Sequence, residues 1–387
     1  MIAEEDLPHY SPCVLPDYVA GRIDRHRVFL KTPADYASAN VRTVFGRKVT
    51  ESNLDERNVV WEGGGAHYDK LIIATGSTPV MPPLDGIETK GTFTFKWLRD
   101  ADGISRHKGQ RAVVIGSGPI GVQAGVALRK RGYQVVIVEI VDYILPRAFA
   151  ERPASLLKAA LEEQGIEVVT GESVIGVLGK KEVEGVVTDK GEIRGDTVIL
   201  ALGVKPNADL AMRAGLEIGM LGGITTNEYM MTAAEDVYAC GDCVEVRDLV
   251  TGQSTLSPLW HNAKQQGEVA AFNCLGIPRA YPGSLNLVGL EVFDTYAVSM
   301  GITGVELGSE QGVEVIEKTR AGSYYRLLLQ NGVVVGAQIV GHARSLGEIL
   351  SAIQRRDNLT QFKRTIEGRP LFPHEWLQVR ASRYLNT

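Results

Sequence analysis

An α/β fold is what this chain predicts, and three observations predict it. Short β-rich apolar runs alternate with helical stretches as far as about residue 280. One such run opens onto Gly116-Ser117-Gly118-Pro119-Ile120-Gly121, a G-x-G-x-x-G set between a strand and a helix. From about Tyr281 the texture changes to apolar–polar alternation around Asn331-Gly332, a hairpin signal. Residues 281–387 therefore read as a separate antiparallel α+β domain. A length of 387 residues fits about two to three domains.

Each element has a local reason. Leu71-Ile72-Ile73-Ala74 is a continuous apolar run broken by Thr75-Gly76-Ser77-Thr78-Pro79, which predicts a buried strand ending in a turn. Ala112-Val113-Val114-Ile115 predicts a second buried strand running into Gly116. A helix follows to about Lys130, closed by Gly132. Residues 135–139 predict the next strand. Pro153 to Gln164 predict a helix with proline near its start and Gly165 past its end. Residues 197–202 predict a further strand, ending at Gly203.

Composition excludes several classes of function. Hydrophobic residues make up 44% and charged residues 22%, enough apolar material for real cores and too much for a disordered chain. The net charge of −5, with no basic domain, argues against a nucleic-acid partner. No apolar run approaches the roughly 18 residues of a membrane helix. The acidic start Met1-Ile2-Ala3-Glu4-Glu5-Asp6 is unlike a secretory signal. Four cysteines in so long a chain do not make a disulfide scaffold, so a reducing cytoplasm is the expected location. The 43 glycines point to turns where backbone meets ligand.

The fingerprint carries its own chemistry. Gly116 permits a tight turn, Gly118 lets backbone approach a pyrophosphate, and Gly121 permits close helix–strand packing. The helix N-terminus then faces the anion. Glu139 closes the following strand about 18 residues beyond Gly121, near the usual ~20. Its carboxylate suits ribose hydroxyls and repels a 2′-phosphate, and no arginine follows within the next few residues. NAD(H) is expected, with NADP(H) disfavoured. The plain alternative is an ordinary glycine-rich strand–helix turn.

Three more stretches end apolar runs at a glycine: Ala74-Thr75-Gly76, Ala201 to Asn207 around Gly203, and Val237-Tyr238-Ala239-Cys240-Gly241-Asp242. Asp242 precedes a short helix, where a carboxylate can accept hydrogen bonds from a polyol. Each alone could be a strand-ending turn. Together, in this order, they resemble the flavin-dependent pyridine nucleotide–disulfide oxidoreductases over nearly the whole chain.

The resemblance implies two Rossmann-like domains, binding FAD and NAD(P), plus a C-terminal α+β dimerisation domain. The FAD domain would comprise residues 1–106 and 223–280, the NAD(H) domain 107–222, and the dimerisation domain 281–387. It implies a homodimer. It also implies that Ala74, Thr75, Gly76 and Gly203 lie at the cofactors, that Gly241 and Asp242 hold the FAD ribityl chain, and that Val49 lies near the adenine. The helical stretch Gln265–Asn273 would lie beneath the flavin. Members of the family begin with another G-x-G-x-x-G, which this sequence lacks ahead of Glu4 and Glu5, the candidates for the adenosine ribose. An N-terminally shortened form of a longer protein is the favoured expectation.

Cys13 lies in Tyr10-Ser11-Pro12-Cys13-Val14-Leu15-Pro16. Ser11 can cap a helix and Pro12 suits its first position, which places the thiol where N–H groups and the dipole favour a thiolate. The segment is similar to the C-x-L-P of the single-cysteine branch, the coenzyme A-disulfide reductases and NADH oxidases. Val14 stands where that branch usually has glycine and Asp17 where it usually has tyrosine, so coenzyme A specificity stays open. A buried structural cysteine is the alternative. Ser11, Pro12, His261 and Asn262 are candidate substrate contacts. Cys240-Gly241-Asp242-Cys243 is formally C-x-x-C, but it overlaps the Gly-Asp motif and no second half-site completes a metal centre. Tyr324-Tyr325 resembles the tyrosine pair of the dimer domain, and His374-Glu375 is a weak acid–base candidate.

The resemblance implies an NADH-dependent reductase whose electrons pass through FAD to sulfur at Cys13 and on to a disulfide, polysulfide or persulfide. The rivals are an NADH oxidase or peroxidase, a rubredoxin-type electron-transfer reductase, and a flavin-free binding subunit.

Overall fold

The computed structural model describes residues 1–303, 312–320, 322–342 and 346–360. Its centre is a five-stranded parallel sheet in the order Thr92–Thr94, Thr197–Leu200, Arg111–Ile115, Gln134–Glu139, Ile166–Thr170. The inner strands are buried on both faces, which is why Ala112-Val113-Val114-Ile115 reads as one apolar run. The Pro119–Lys130 and Glu151–Glu163 helices pack against one face. A three-stranded antiparallel sheet, Val174–Leu178, Gly185–Thr188 and Glu192–Arg194, covers the other through Val177, Val183 and Val186. Both helices end as expected, with Gly132 (φ +100°) and Gly165 (φ +77°) in the left-handed region.

The outer segments form a second α/β layer. Leu71–Ile73 pairs in parallel with Val237–Ala239. The expected burial of this run holds only in part: Ile73 is buried, while Ile72 is 36% exposed. Among the described residues this strand pairs along one edge only, with Val237–Ala239. The Trp260–Cys274 helix supports the pair from below.

Past Tyr281 the chain forms a five-stranded antiparallel sheet, ordered Leu287–Val292, Thr295–Gly301, Val333–Val340, Ser323–Gln330, Val313–Arg320. Asn331 (φ +52°) and Gly332 (φ +78°) make the tight turn expected of Asn-Gly. Leu346–Arg355 packs on this sheet through Ile349 and Ile353. Tyr324 and Tyr325 are buried within it, and Tyr325 Oη donates to the His342 carbonyl. They are strand residues of their own sheet rather than groups reaching outward. The main core is shared across the three regions. Leu15 and Leu98, Val122 and Leu157, and Leu290 and Val340 belong to one cluster.

Candidate nucleotide and flavin site

The fingerprint turn is built around a buried polar knot. Ser117 is fully buried, and its N–H and Oγ–H both donate to Glu139 Oε2, at 2.9 and 2.6 Å. Glu139 Oε1 accepts from Val141 N at 3.1 Å, and Leu145 N donates to Ser117 Oγ. The carboxylate, 7% exposed, therefore organises the loop as well as facing it. Gly116 has φ +97°, and a Cβ there would lie 2.6 Å from the Ala201 carbonyl oxygen. A Cβ on Gly121 would collide with the Gly116 carbonyl oxygen. Gly118 differs: it has nothing within 4 Å of its Cβ position, and it caps the Pro119–Lys130 helix. That open N-terminus, with Ile120 half exposed beside it, fits a dinucleotide pyrophosphate.

The Ala74–Pro79 and Val237–Asp242 stretches meet at Asp242. Ser77 Oγ donates to Asp242 Oδ2 at 2.6 Å, and Lys96 Nζ reaches Ser77 Oγ at 2.5 Å and Asp242 Oδ2 at 3.2 Å. Among the described residues Asp242 Oδ1 accepts no hydrogen bond, so it can receive a ribityl hydroxyl. Gly76 (φ +69°) has nothing near its Cβ position, and Gly241 (φ +85°) meets only Ala263 at 3.8 Å. The two turns thus present open backbone on either side of a fixed carboxylate, which fits FAD. Gln266, buried in the Trp260–Cys274 helix, accepts from Gly241 N at 2.7 Å and holds that turn. The expected short helix after Asp242 does not form: Asp242 lies inside a single 3₁₀ turn, Gly241–Cys243, that runs directly into the strand Val244–Arg247.

Gly203 (φ +96°) lies in the joint between the layers rather than at Asp242. Its carbonyl accepts from Val80 N, and Val204–Pro206 pairs with Ser77–Pro79. Asn207 closes the joint: Nδ2 donates to the Thr75 carbonyl, and its backbone carbonyl and Oδ1 accept from Thr75 and Thr78. Thr75 therefore anchors the Ala74–Gly76 turn from behind. Sequence reasoning missed Lys96, Gln266 and Asn207 as site residues. Asn207 ends a stretch already singled out. Gln266 lies in the Gln265–Asn273 stretch already placed beneath the flavin, though its bond to Gly241 was not foreseen; Lys96 sits in no motif, and only the tertiary approach of its side chain reveals it.

The N-terminal candidates separate. Tyr10 Oη donates to both oxygens of Glu5 at 2.9 Å, and burial holds the Glu5 carboxyl above its usual range. Glu4 is exposed and pairs with Lys48 at 3.4 Å, next to Val49 at the start of Val49–Asn53. Glu4, exposed and held only by its pair with Lys48, can still accept from a ribose, whereas Glu5 is committed to Tyr10.

Cys13 sits in a 3₁₀ turn, Pro12–Val14, leading into the Leu15–Val19 helix. The expectation of a lowered thiol is not met. Desolvation pushes the Cys13 thiol up, and a hydrogen bond with Ser11 and the turn's own backbone only partly offset this. Ser11 makes no helix cap, because its side chain serves the thiol and the turn is too short to have a strong dipole. Pro12 and Cys13 are exposed. His261 Nε2 and Asn262 Nδ2 both contact the Leu285 carbonyl, at 3.0 Å each, and Asn262 is 1% exposed. Their visible role is to tie the helix to the start of the C-terminal region. Burial pushes Cys240 up to about 12 and Cys243 up as well, so neither is a reactive thiol. His374-Glu375 lies outside the described residues.

Comparison with known proteins agrees with this geometry. The family model described as pyridine nucleotide-disulphide oxidoreductase matches residues 1–267. An NADH oxidase of Methanocaldococcus jannaschii is 32% identical over 368 residues, covering 89% of this chain and 82% of that protein. An NAD(P)H coenzyme A polysulfide/persulfide reductase of Pyrococcus horikoshii is 31% identical, covering 86% and 79%. Among solved structures, a NAD-dependent persulfide reductase from A. fulgidus superposes with a TM-score of 0.87 at 30% identity, covering 93% of this chain and 72% of that one. The chain belongs to the pyridine nucleotide–disulphide oxidoreductases, enzymes that use FAD and a nicotinamide dinucleotide.

Proposed function

We propose that this chain is an NADH-driven flavoprotein reductase whose acceptor is a persulfide, polysulfide or low-molecular-weight disulfide met at Cys13. The observation that carries the proposal is a three-residue bridge. Leu98 N donates to Tyr10 Oη at 3.0 Å on the Cys13 side, while Lys96 Nζ reaches Asp242 on the flavin side. One short segment thus fixes the thiol-bearing turn relative to the flavin carboxylate. Bound FAD supplies the two-electron redox chemistry. The residues of the chain do the rest. Asp242, held by Ser77 and Lys96, orients the polyol, and Gly118 and Glu139 seat the dinucleotide. Ser11 donates toward the sulfur that takes up the substrate. The committed Glu139, followed by Ile140 and Val141 rather than a cation, supports NADH over NADPH.

The supporting names are those of the persulfide reductases among its relatives. Oxygen as acceptor is the second reading, favoured by the likeness to an NADH oxidase. Anaerobic NADH oxidation separates the two. Turnover with a polysulfide or a disulfide, lost in Cys13→Ser, supports the sulfur acceptor; turnover that needs oxygen and fails with every sulfur compound overturns it. A homodimer built through 281–387 and a cytoplasmic location complete the proposal. Light scattering tests the first. Four free cysteines and the lack, among the described residues, of a helix long and apolar enough to cross a membrane are compatible with the second.

A further inference from the structure

One glutamine of the C-terminal sheet spends its side chain on a different part of the fold. Where Thr295–Gly301 pairs with Val333–Val340, Ala297 opposes Val340 and Ser299 opposes Gln338, which puts all four side chains on one face. Ala297 and Val340 join the main core together with Leu157 of the Glu151–Glu163 helix. Gln338 is fully buried on that face. A buried amide is costly unless its hydrogen bonds are made, and Gln338 makes them outside its own sheet. Oε1 accepts from Ala150 N at 3.1 Å, and Nε2 reaches the Ala148 carbonyl at 3.5 Å. Ser299 Oγ, buried directly across the ladder, has no hydrogen-bond partner among the described residues. The amide is therefore aimed at the 148–150 backbone rather than at its strand neighbour.

That backbone has a local need for the bond. Ala150 is the N-cap of the Glu151–Glu163 helix and makes no side-chain cap. In a capping box the third helical residue reaches back to the N-cap N–H, and here that residue is Pro153. Gln338 supplies the missing acceptor from 188 residues away. Leu145 stands at the other end of the same loop. Its φ of +55° is a left-handed conformation that a branched side chain keeps only when its surroundings hold it. Leu145 N donates to the Ser117 carbonyl and to Ser117 Oγ, both at 3.2 Å, and its own carbonyl accepts from Ala148 N and Phe149 N at 2.9 Å each. Ser117 Oγ in turn donates to Glu139 Oε2. Hydrogen bonds and short backbone steps thus lead from Gln338 to the carboxylate beside the fingerprint.

We infer that Gln338 is a positioning residue for the dinucleotide. By pinning Ala148 and Ala150 it holds Leu145 in its left-handed conformation, and Leu145 holds Ser117 and Glu139 in the arrangement that receives ribose and pyrophosphate. The inference rests on the reading of Gly118 and Glu139 as the seat of NADH. Its consequence falls on affinity. A loop released from Gln338 populates other conformations, and the fraction that stays competent scales the apparent affinity for the nucleotide. Once NADH is bound the same arrangement is restored, so turnover at saturation does not depend on Gln338.

The test uses the full chain loaded with FAD. Gln338→Met keeps the length of the side chain and removes both bonds. It is expected to raise the Kd for NAD⁺, read by calorimetry without turnover, and the KM for NADH about tenfold each. The kcat at saturating NADH, with menadione as an uncharged acceptor, and the affinity for FAD are expected to stay within about twofold of the parent. Ser117→Ala is expected to weaken NAD⁺ about tenfold by itself, and the double variant to bind at most about twofold worse than Ser117→Ala, because both substitutions break one connection. If Gln338→Met does not fold, Gln338→Asn, which keeps a buried amide but stops short of the loop, takes its place with the same expectations. A Kd for NAD⁺ within about twofold of the parent overturns the inference. So does a loss of kcat and FAD affinity in step with NAD⁺, which would make Gln338 a general packing residue. Additive effects in the double variant, about a hundredfold together, overturn it equally. A parent that binds no NAD⁺ overturns the reading of the nucleotide site itself.

Discussion

Two adjacent carboxylates, Glu4 and Glu5, have opposite environments and should respond differently to the same substitution. Glu4→Gln is expected to weaken FAD binding about tenfold by removing a charged acceptor, while Glu5→Gln leaves it unchanged; flavin fluorescence titration decides. Burial raises the Glu5 carboxyl, so the folded chain holds that proton more tightly than the unfolded chain does. This contribution is complete below the unfolded carboxylate range and is lost as pH rises through the raised value. The Tm advantage of Glu5→Gln over the parent should therefore grow from pH 4 to pH 7. Cys13 offers a second test at this scale. Because desolvation raises its thiol, iodoacetamide labelling of the FAD-free chain should stay slow at neutral pH and accelerate only above the ordinary thiol range. Ser11→Ala should move that acceleration further up. Mass spectrometry at Cys13 reads both, and a neutral-pH rate above that of free cysteine would refute the assignment.

At the scale of an element, the fingerprint glycines divide into two kinds. Gly121 is required by packing, since its Cβ position is occupied by the Gly116 carbonyl oxygen. Gly118 has open space around it and an ordinary φ of −61°. Gly121→Ala should therefore lower the melting temperature, with a cost of about 2 kcal/mol or more, whether or not nucleotide is present. Gly118→Ala should melt with the parent but lose NADH affinity at least tenfold, because only the bound pyrophosphate comes close to that position. Thermal melts and NADH titration separate the two outcomes. A drop in melting temperature for Gly118→Ala would show that the turn is strained in a way its geometry does not reveal.

The whole molecule is held by a core that ignores the expected domain lines. Val288, Leu290 and Val292 from the C-terminal sheet share one cluster with Val122 and Leu157 of the nucleotide-side helices. Gln123 Nε2 donates to the Glu291 carbonyl and Lys130 pairs with Glu291, so the helix behind the fingerprint is tied to that sheet. Gln338 accepts from Ala150 N, ahead of the Glu151–Glu163 helix. A chain ending at residue 280 should consequently expose the apolar backs of both helices, melt at lower temperature and aggregate. A truncated chain as soluble and as stable as the parent would mean that the C-terminal sheet is an independent unit.

The sequence by itself determined the elements whose causes are local. The inner parallel strands at 111–115, 134–139 and 197–200 are legible because strands buried on both faces are apolar, whereas the edge strands Thr92–Thr94 and Ile166–Thr170, partly exposed and mixed in character, are not; the 119–130 and 151–163 helices are legible because glycine can take the left-handed cap. The Asn331-Gly332 hairpin and the fingerprint turn are legible for similar reasons: each needs a backbone conformation that few residues adopt. Tertiary structure alone decided how side chains far apart in sequence meet. Lys96 joins Ser77 and Asp242, Gln266 holds Gly241, and Asn262 donates to the Leu285 carbonyl. It also decided ionisation, because the shift of Cys13 depends on how much protein surrounds the thiol rather than on its place in a turn. Backbone preference is encoded within a few residues, whereas desolvation and charge pairing are properties of the folded whole.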